Sequence, residues 1–237
     1  MEELIVFDAG SLDYLDAWEL QQSLHRRVAE GAFPSVLLLL EHPHVYTLGR
    51  RSKSAHVLAD QETLDRLGVQ VHHADRGGEV TYHGPGQLVG YPILDLRRWG
   101  GGPLRYVRAL EEILIATLGE FEVVAQRKKR PTGVWVGDAK IAAIGVKISR
   151  GVTTHGFALN VHSDLSFFDH IVPCGAPGTL VESMATFSEG IDVKTVVPVL
   201  AQEFSRVFGF SLRWADTGDE WNRFFTTHMT PRKIQGI

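Results

Sequence analysis

Two short turns restrict this chain more than any other feature. Gly137-Asp138 and Arg150-Gly151 each separate apolar, strand-like runs, so residues 132–136, 139–149 and 152–161 read as successive strands of two tight hairpins. So short a connection permits only antiparallel pairing. Further strands are expected at 35–40, 69–73, 87–96 and 122–126. Helical spacing is confined to four segments. Residues 12–30 form the first, with Ser11 as N-cap, Gly31 as stop, and Leu15, Trp18, Gln22, Leu24 and Val28 on the inner face. A short second helix at 60–67 ends at Gly68. Leu104, Val107, Leu110, Leu114 and Leu118 trace a third behind Pro103, which suits a first helical turn. Val193, Val196, Leu200, Phe204 and Val207 trace a fourth over 192–208, where Pro198 predicts a kink or a later start. Helices mixed with hairpins describe an α+β domain with a mostly antiparallel sheet; the regular strand–helix alternation of a doubly wound fold is missing. No linker-like stretch divides the 237 residues, so a single domain over 1–237 is expected, with a tail from about 214 that carries no pattern.

Charged residues make up 22% and hydrophobic ones 44%, a balance that builds a core and excludes a disordered chain. A net charge of -4 argues against a general nucleic-acid binder. No apolar run approaches the ~20 residues of a membrane helix, so no membrane partner is expected. The acidic start Met1-Glu2-Glu3 lacks a secretory n-region. Cys174 is the only cysteine, which excludes an intrachain disulfide and fits a reducing compartment, the cytoplasm.

Several familiar sites lack their residues. G-x-x-x-x-G-K-[ST], G-x-G-x-x-G and G-x-S-x-G are all absent, which removes nucleotide cradles and the serine elbow. The closest histidine pairs, His42/His44 and His72/His73, belong to no H-E-x-x-H, and one cysteine cannot build a thiolate cage. Neither a metal nor another cofactor is expected.

Other segments are more informative. Four glycines lie between Asp75 and Gln87, and Arg76, Tyr82 and His83 among them supply donors beside backbone that can approach a ligand closely. Cys174 is bracketed by Pro173 and Gly175, so a loop that exposes the sulfur competes with the ordinary reading of a small buried hydrophobe. Thr179-Leu180-Val181-Glu182 has the pattern of a capping box, which would bring a helix N-terminus near that sulfur. In the run 139–149, alternation puts Lys140 on one face with Ala142, Ile144, Val146 and Ile148. There a desolvated amine would give up its proton more readily. Two alternatives stand: a side chain beside a turn can snorkel to water, and a bulge would break the alternation. Lys147, on the opposite face, reads as an ordinary solvated lysine. Gly156, inside the strand-like run His155-Gly156-Phe157-Ala158-Leu159-Asn160, marks a close backbone approach or a bulge. The basic run Arg127-Lys128-Lys129-Arg130 is either a solvated loop or a means of steering an acidic protein.

Four of these motifs occur in a fixed order: Arg76-Gly77-Gly78-x-Val80-Thr81-Tyr82-His83-Gly84-Pro85-Gly86-Gln87, Lys140-Ile141-Ala142-Ala143-Ile144-Gly145, His155-Gly156-Phe157-Ala158-Leu159-Asn160 and Pro173-Cys174-Gly175. Together, over about residues 35–200, they closely resemble the bacterial octanoyltransferases of lipoate biosynthesis. The resemblance implies the fold of biotin and lipoate protein ligases, a mixed sheet flanked by helices. It implies an acyl-accepting nucleophile at Cys174 with Lys140 as its partner. Arg76, Gly77, Gly78, Glu79, Val80, Thr81, Tyr82 and His83 would line the acyl pocket. Ala143, Ile144 and Gly145, with Gly156, Phe157 and Ala158, would complete it. The implied reaction moves octanoyl from octanoyl-acyl carrier protein, through a cysteine thioester, to a lysine of a lipoyl domain. That domain would belong to a 2-oxoacid dehydrogenase or the glycine cleavage H protein. Lys140 would be the general base, with His83 as the competing candidate. One departure is visible: the family often carries a Thr-Ser pair soon after the cysteine, where this chain has Val181-Glu182-Ser183-Met184.

Overall fold

Residues 36–40 are all apolar and all buried, although alternate residues leave a strand on opposite faces. Such a strand needs a sheet covered on both sides. The computed structural model, which describes residues 2–129 and 131–216, has that architecture. In chain order it runs β1 (Glu2–Ser11), α1 (Tyr14–Ala29), β2 (Ser35–Glu41), β3 (Val45–Leu48), α2 (Gln61–Leu67), β4 (Gln70–His73), β5 (Val80–His83) and β6 (Gln87–Ile93). The chain continues through α3 (Leu96–Trp99), α4 (Pro103–Gly119), β7 (Gln126–Arg127), β8 (Gly133–Val136), β9 (Ala139–Ser149), β10 (Val152–Asn160), α5 (Val193–Phe208) and β11 (Phe210–Trp214).

The large sheet has the order β11-β1-β2-β6-β10-β9-β8-β7, and a small one has the order β4-β3-β5. In the large sheet β11, β1 and β2 are parallel and every later pairing is antiparallel. Leu37 and Leu39 enter the core beneath α4 and α5, while Val36, Leu38 and Leu40 enter the one beneath α1. The fold is therefore α+β with a mixed sheet between helices. Both hairpins form as expected, β8–β9 at Gly137 and β9–β10 at Arg150-Gly151. No helix among the described residues is long and apolar enough to cross a membrane.

Several expectations are corrected. The first helix is capped by Asp13, whose carboxylate accepts from the Leu15 amide, because β1 extends through Ser11. Its sheet-facing side is Ala17, Leu20, Leu24 and Val28, whereas Leu15 and Trp18 pack with Val45 toward the small sheet. The buried Gln21 disguises that side: it carries a polar side chain because the His155 amide needs an acceptor. Residues 122–126 are not a strand; the chain turns after α4 with Glu122 at φ 60°, and only Gln126 and Arg127 pair with β8. Helix α5 starts at Val193 and continues through Pro198, an exposed position where water can satisfy the carbonyl a proline leaves bare. The tail beyond residue 216 and Arg130 of the basic run lie outside the described residues.

Candidate active site

Along its second half, β9 has no β8 beside it, and there the Arg76 loop crosses. The Gly77 amide donates to the Val146 carbonyl at 3.0 Å. Gly145 must be glycine at this crossing, since a Cβ would stand 2.9 Å from the Gly77 carbonyl oxygen. A cavity of about 810 Å³ opens around the crossing. Every residue expected to line a pocket does so except Tyr82, and Lys140 joins them. Tyr82 turns instead into the small-sheet core, stacked on Phe167 at 5.0 Å with its hydroxyl 2.9 Å from His44 Nδ1. Tyr14 of α1, Tyr91 of β6, His155 of β10 and Glu111 of α4 also line the cavity, and the sequence assigned none of them a role.

Arg76 is not a free cation at the cavity wall. Its Nη2 donates to the Thr47 carbonyl at 2.6 Å and to Thr47 Oγ1 at 2.8 Å, and its Nη1 donates to the Glu79 carbonyl at 2.9 Å. The guanidinium is thus the internal staple of its own loop. Asp75, one residue earlier, accepts from His155 Nε2 at 2.7 Å and from Lys147 Nζ at 2.5 Å. The His155 hydrogen bond and then Lys147 hold its carboxyl well below the usual carboxylate range. Lys147 is therefore ion-paired, which corrects the reading of a merely solvated lysine. His155 reaches Asp75 from a left-handed backbone, φ 56°, a conformation that costs an L residue about 1 kcal/mol.

Lys140 does not share the core face with Ala142. Val134 pairs with Ala142 and Trp135 with Lys140, so Ile141 is the extra residue of a bulge. Ile141 and Ala142 both enter the core, and Lys140 turns out of it. The lysine is buried, with Nζ 5.6 Å from the Trp135 ring centre. It passes over Gly133, where a Cβ would stand 2.4 Å from Lys140 Cε and 2.6 Å from the Ala142 carbonyl oxygen. Gly133 also has φ +140°. Gly133→Ala is therefore expected to displace the lysine and lower any turnover at this site about tenfold or more, in a protein destabilised by about 1–3 kcal/mol. Turnover per folded molecule checks this; an unchanged rate would show that the lysine's path does not matter.

Cys174 lies on a single 3-10 turn, Pro173–Gly175. Gly175, at φ +66°, rests on Glu79, since a Cβ there would be 3.0 Å from Glu79 Cδ. The segment that follows then returns to Lys140. The Lys140 amide donates to the Leu180 carbonyl at 2.8 Å, and the Glu182 amide donates to the Lys140 carbonyl at 3.0 Å. Thr179-Leu180-Val181-Glu182 is thus a bridge to β9 and caps no helix; the Glu182 carboxylate accepts from the Ser183 amide and Thr186 Oγ1. Of the basic run, Arg127 lies 3.9 Å from Glu111, Lys128 pairs with Asp138, and Lys129 lines the cavity.

Two histidines fix the aromatic wall. His42 Nδ1 can only donate to the Leu12 carbonyl, 2.6 Å away, so its Nε2 accepts from the Tyr91 hydroxyl at 2.7 Å. Burial pushes its pKa down to about 4. Such a histidine stabilises the fold fully above its unfolded value near 6.5, and the contribution is lost as pH falls through that value toward 4. The expected loss for His42 between about pH 7 and 5 is about 2 kcal/mol, and His83 and His155, depressed by burial too, add to the same acid limb. Urea midpoints at about pH 7 and 5 test this. His42→Gln should flatten the limb, and an unaltered slope would remove His42 from it.

His83 is enclosed on both nitrogens. Nδ1 lies 2.8 Å from Gln87 Oε1 and Nε2 3.3 Å from Thr47 Oγ1. Burial holds its pKa well below the usual histidine value, and the Arg76 charge adds to this. The ring is therefore neutral and committed.

Residues 13–205 match the lipoyl protein ligase A/B catalytic domain family. The octanoyltransferase of Solibacter usitatus is 50% identical over 203 residues, covering 86% of this chain and 92% of its own. That of Gloeobacter violaceus is 49% identical over 88% of this chain and 92% of its own. Among solved structures, a lipoate-protein ligase A bound with ATP superposes with TM-score 0.78 at 16% identity, covering 96% of this chain and 94% of its own. A biotin protein ligase from Aquifex aeolicus superposes with TM-score 0.51 at 11% identity, covering 86% and 70%. These last two likenesses concern the fold.

Proposed function

Since this chain belongs to the lipoyl protein ligase A/B catalytic family, and within it to the octanoyltransferases that act in protein lipoylation, we propose that octanoyl transfer runs through a thioester on Cys174 with Lys140 as general base. In the first half-reaction the Cys174 thiol yields its proton to Lys140 Nζ. The sulfur attacks the thioester carbonyl of octanoyl-acyl carrier protein, and the carrier thiol leaves with that proton. In the second, the ε-amine of a lipoyl-domain lysine attacks the acyl-enzyme. Lys140 accepts the amine's proton and returns it to the departing Cys174 sulfur as the amide forms. One thioester replaces another in the first step, and the amide makes the second run downhill.

The observation that carries this reading is the double main-chain clamp on Lys140, supplied by the segment that leaves the Cys174 turn. Lys140 lines the cavity between the Arg76 loop and the β9–β10 hairpin, and Gly175, the residue after Cys174, rests on Glu79 of the same lining. His83 is a poorer base, because a thiol proton would have to displace a bond already made at either nitrogen. The acyl wall comprises Arg76, Gly77, Gly78, Glu79, Val80, Thr81 and His83, with Ala143, Ile144, Gly145, Gly156, Phe157 and Ala158 opposite; Tyr82 supports it from behind. Residues 1–237 act as one catalytic domain, and the acceptors are lipoyl domains of 2-oxoacid dehydrogenases or the glycine cleavage H protein. A nucleophile that must remain a free thiol suits a reducing cytoplasm.

Octanoyl-acyl carrier protein and an apo lipoyl domain, mixed with the enzyme without nucleotide, should yield the octanoylated domain. A requirement for free octanoate and ATP would overturn the thioester donor in favour of ligase chemistry.

A further inference from the structure

A line of buried side chains joins the small sheet to the segment that clamps Lys140. It runs from Arg76 to Thr47 Oγ1 at 2.8 Å, on to His83 Nε2 at 3.3 Å, and from His83 Nδ1 to Gln87 Oε1 at 2.8 Å. From Gln87 Nε2 it passes to Asn160 Oδ1 at 2.8 Å, and from Asn160 Nδ2 to the Glu182 carbonyl at 2.9 Å. All five side chains belong to buried residues. Gln87 and Asn160 are direct cross-strand partners at the end of β6 and β10.

The direction of every bond follows from the fixed groups along the line. Arg76 can only donate, and the Glu182 carbonyl can only accept. That carbonyl demands the Asn160 nitrogen, which leaves Asn160 Oδ1 to face Gln87. Gln87 Nε2 also points at the Tyr82 carbonyl, 3.2 Å away, so Gln87 Oε1 faces His83. His83 must then carry its proton on Nδ1, and its Nε2 must accept from the Thr47 hydroxyl. The relay has one consistent direction, with each member donating onward. Reversing any one member would set two donors or two acceptors face to face in the interior, where an unmade bond is costly.

We propose that Gln87 and Asn160 are positioning residues for the transfer. They hold the Lys140 clamp in register with the Arg76 loop, and they lock His83 as a neutral Nδ1–H tautomer at the cavity wall. The proposal rests on Lys140 and Cys174 as the reacting positions. Its mechanical core is that Glu182 bonds Asn160 through its carbonyl and Lys140 through its amide. A small shift in this register would leave the acyl pocket intact while misplacing the base. Misplacement of about 1 Å costs about a hundredfold in rate.

Two variants test the relay from different sides. Asn160→Asp keeps the acceptor for Gln87 but sets a carboxylate oxygen against the Glu182 carbonyl. Gln87→Glu keeps the acceptor for His83, loses both onward donations, and gives the imidazole a carboxylate that favours its protonation. Steady-state transfer from octanoyl-acyl carrier protein is measured per folded molecule, together with 15N NMR of His83. In the native enzyme His83 should be protonated on Nδ1 alone and should not titrate between about pH 6 and 8. Asn160→Asp should lower kcat about 10- to 100-fold with KM for the carrier within about twofold and the His83 tautomer unchanged. Gln87→Glu should lower kcat similarly and bring a new ionisation into its pH profile, matched by His83 turning doubly protonated. Native His83 protonated on Nε2, or both variants turning over within about threefold of wild type, would overturn the relay. Intact mass of the native enzyme after exposure to the donor separates this from the reading beneath it. A missing acyl adduct on Cys174 defeats the nucleophile assignment alone, since the kcat and tautomer readouts do not depend on it.

Discussion

Exposed to octanoyl-acyl carrier protein without an acceptor, the enzyme is expected to gain the mass of one octanoyl group, and Cys174→Ala is expected to gain none. The chain has a single cysteine, so the adduct cannot migrate to a second thiol and its stoichiometry is at most one. Hydroxylamine at neutral pH should remove it, as it cleaves thioesters. Transfer to the acceptor should fall at least about a thousandfold in Cys174→Ala, because loss of a covalent nucleophile leaves only the binding contribution to catalysis. Cys174→Ser separates the half-reactions. A hydroxyl attacks a thioester poorly, but the oxyester it forms lies downhill, so an acylated serine enzyme should accumulate slowly and then stall. An adduct that persists in Cys174→Ala, at any residue, would overturn the assignment.

How far the site could be read in advance depends on the kind of information each residue carries. Runs buried on both faces, such as 36–40, and hairpins with glycine turns declare themselves locally. The strands that were missed owe their existence to partners far along the chain. β1 and β11 pair in parallel across more than two hundred residues, and β5 hides in a glycine-rich stretch because it is completed by β3. The cavity residues followed from the ordered motifs, yet Tyr82 faces away from the cavity, since β5 sends its bulk into the small-sheet core. Alternation failed at Lys140 for a similar reason. The bulge at Ile141 belongs to the β8–β9 register and leaves no mark in the composition of either strand. His155 opens the third of the ordered motifs, but its left-handed backbone and its bond to Asp75 emerge only when β10 meets the Arg76 loop.

Replacing Lys140 should give the second large effect, and the choice of replacement decides what it means. Lys140→Met fills the buried path beside Trp135 and over Gly133 with an unbranched side chain of similar length, so the fold should be preserved. Transfer should fall about 10²- to 10⁴-fold, the usual range for a positioned general base. Both acylation and deacylation should slow in single-turnover experiments, because a proton must leave the thiol in the first and the incoming amine in the second. Lys140→Arg keeps a cation but cannot serve as a base, since guanidinium does not deprotonate in proteins. If proton transfer is the role, arginine should rescue neither step. If the lysine acts only as a charge that steadies the thiolate, arginine should restore acylation by tenfold or more over methionine. His83→Ala provides the counterpart. It removes one link of the relay and should retain more activity than Lys140→Met, because the histidine's two nitrogens are already committed to Thr47 and Gln87. The reverse ranking would transfer the base to His83 and would require the Thr47 or Gln87 bond to open during each turnover.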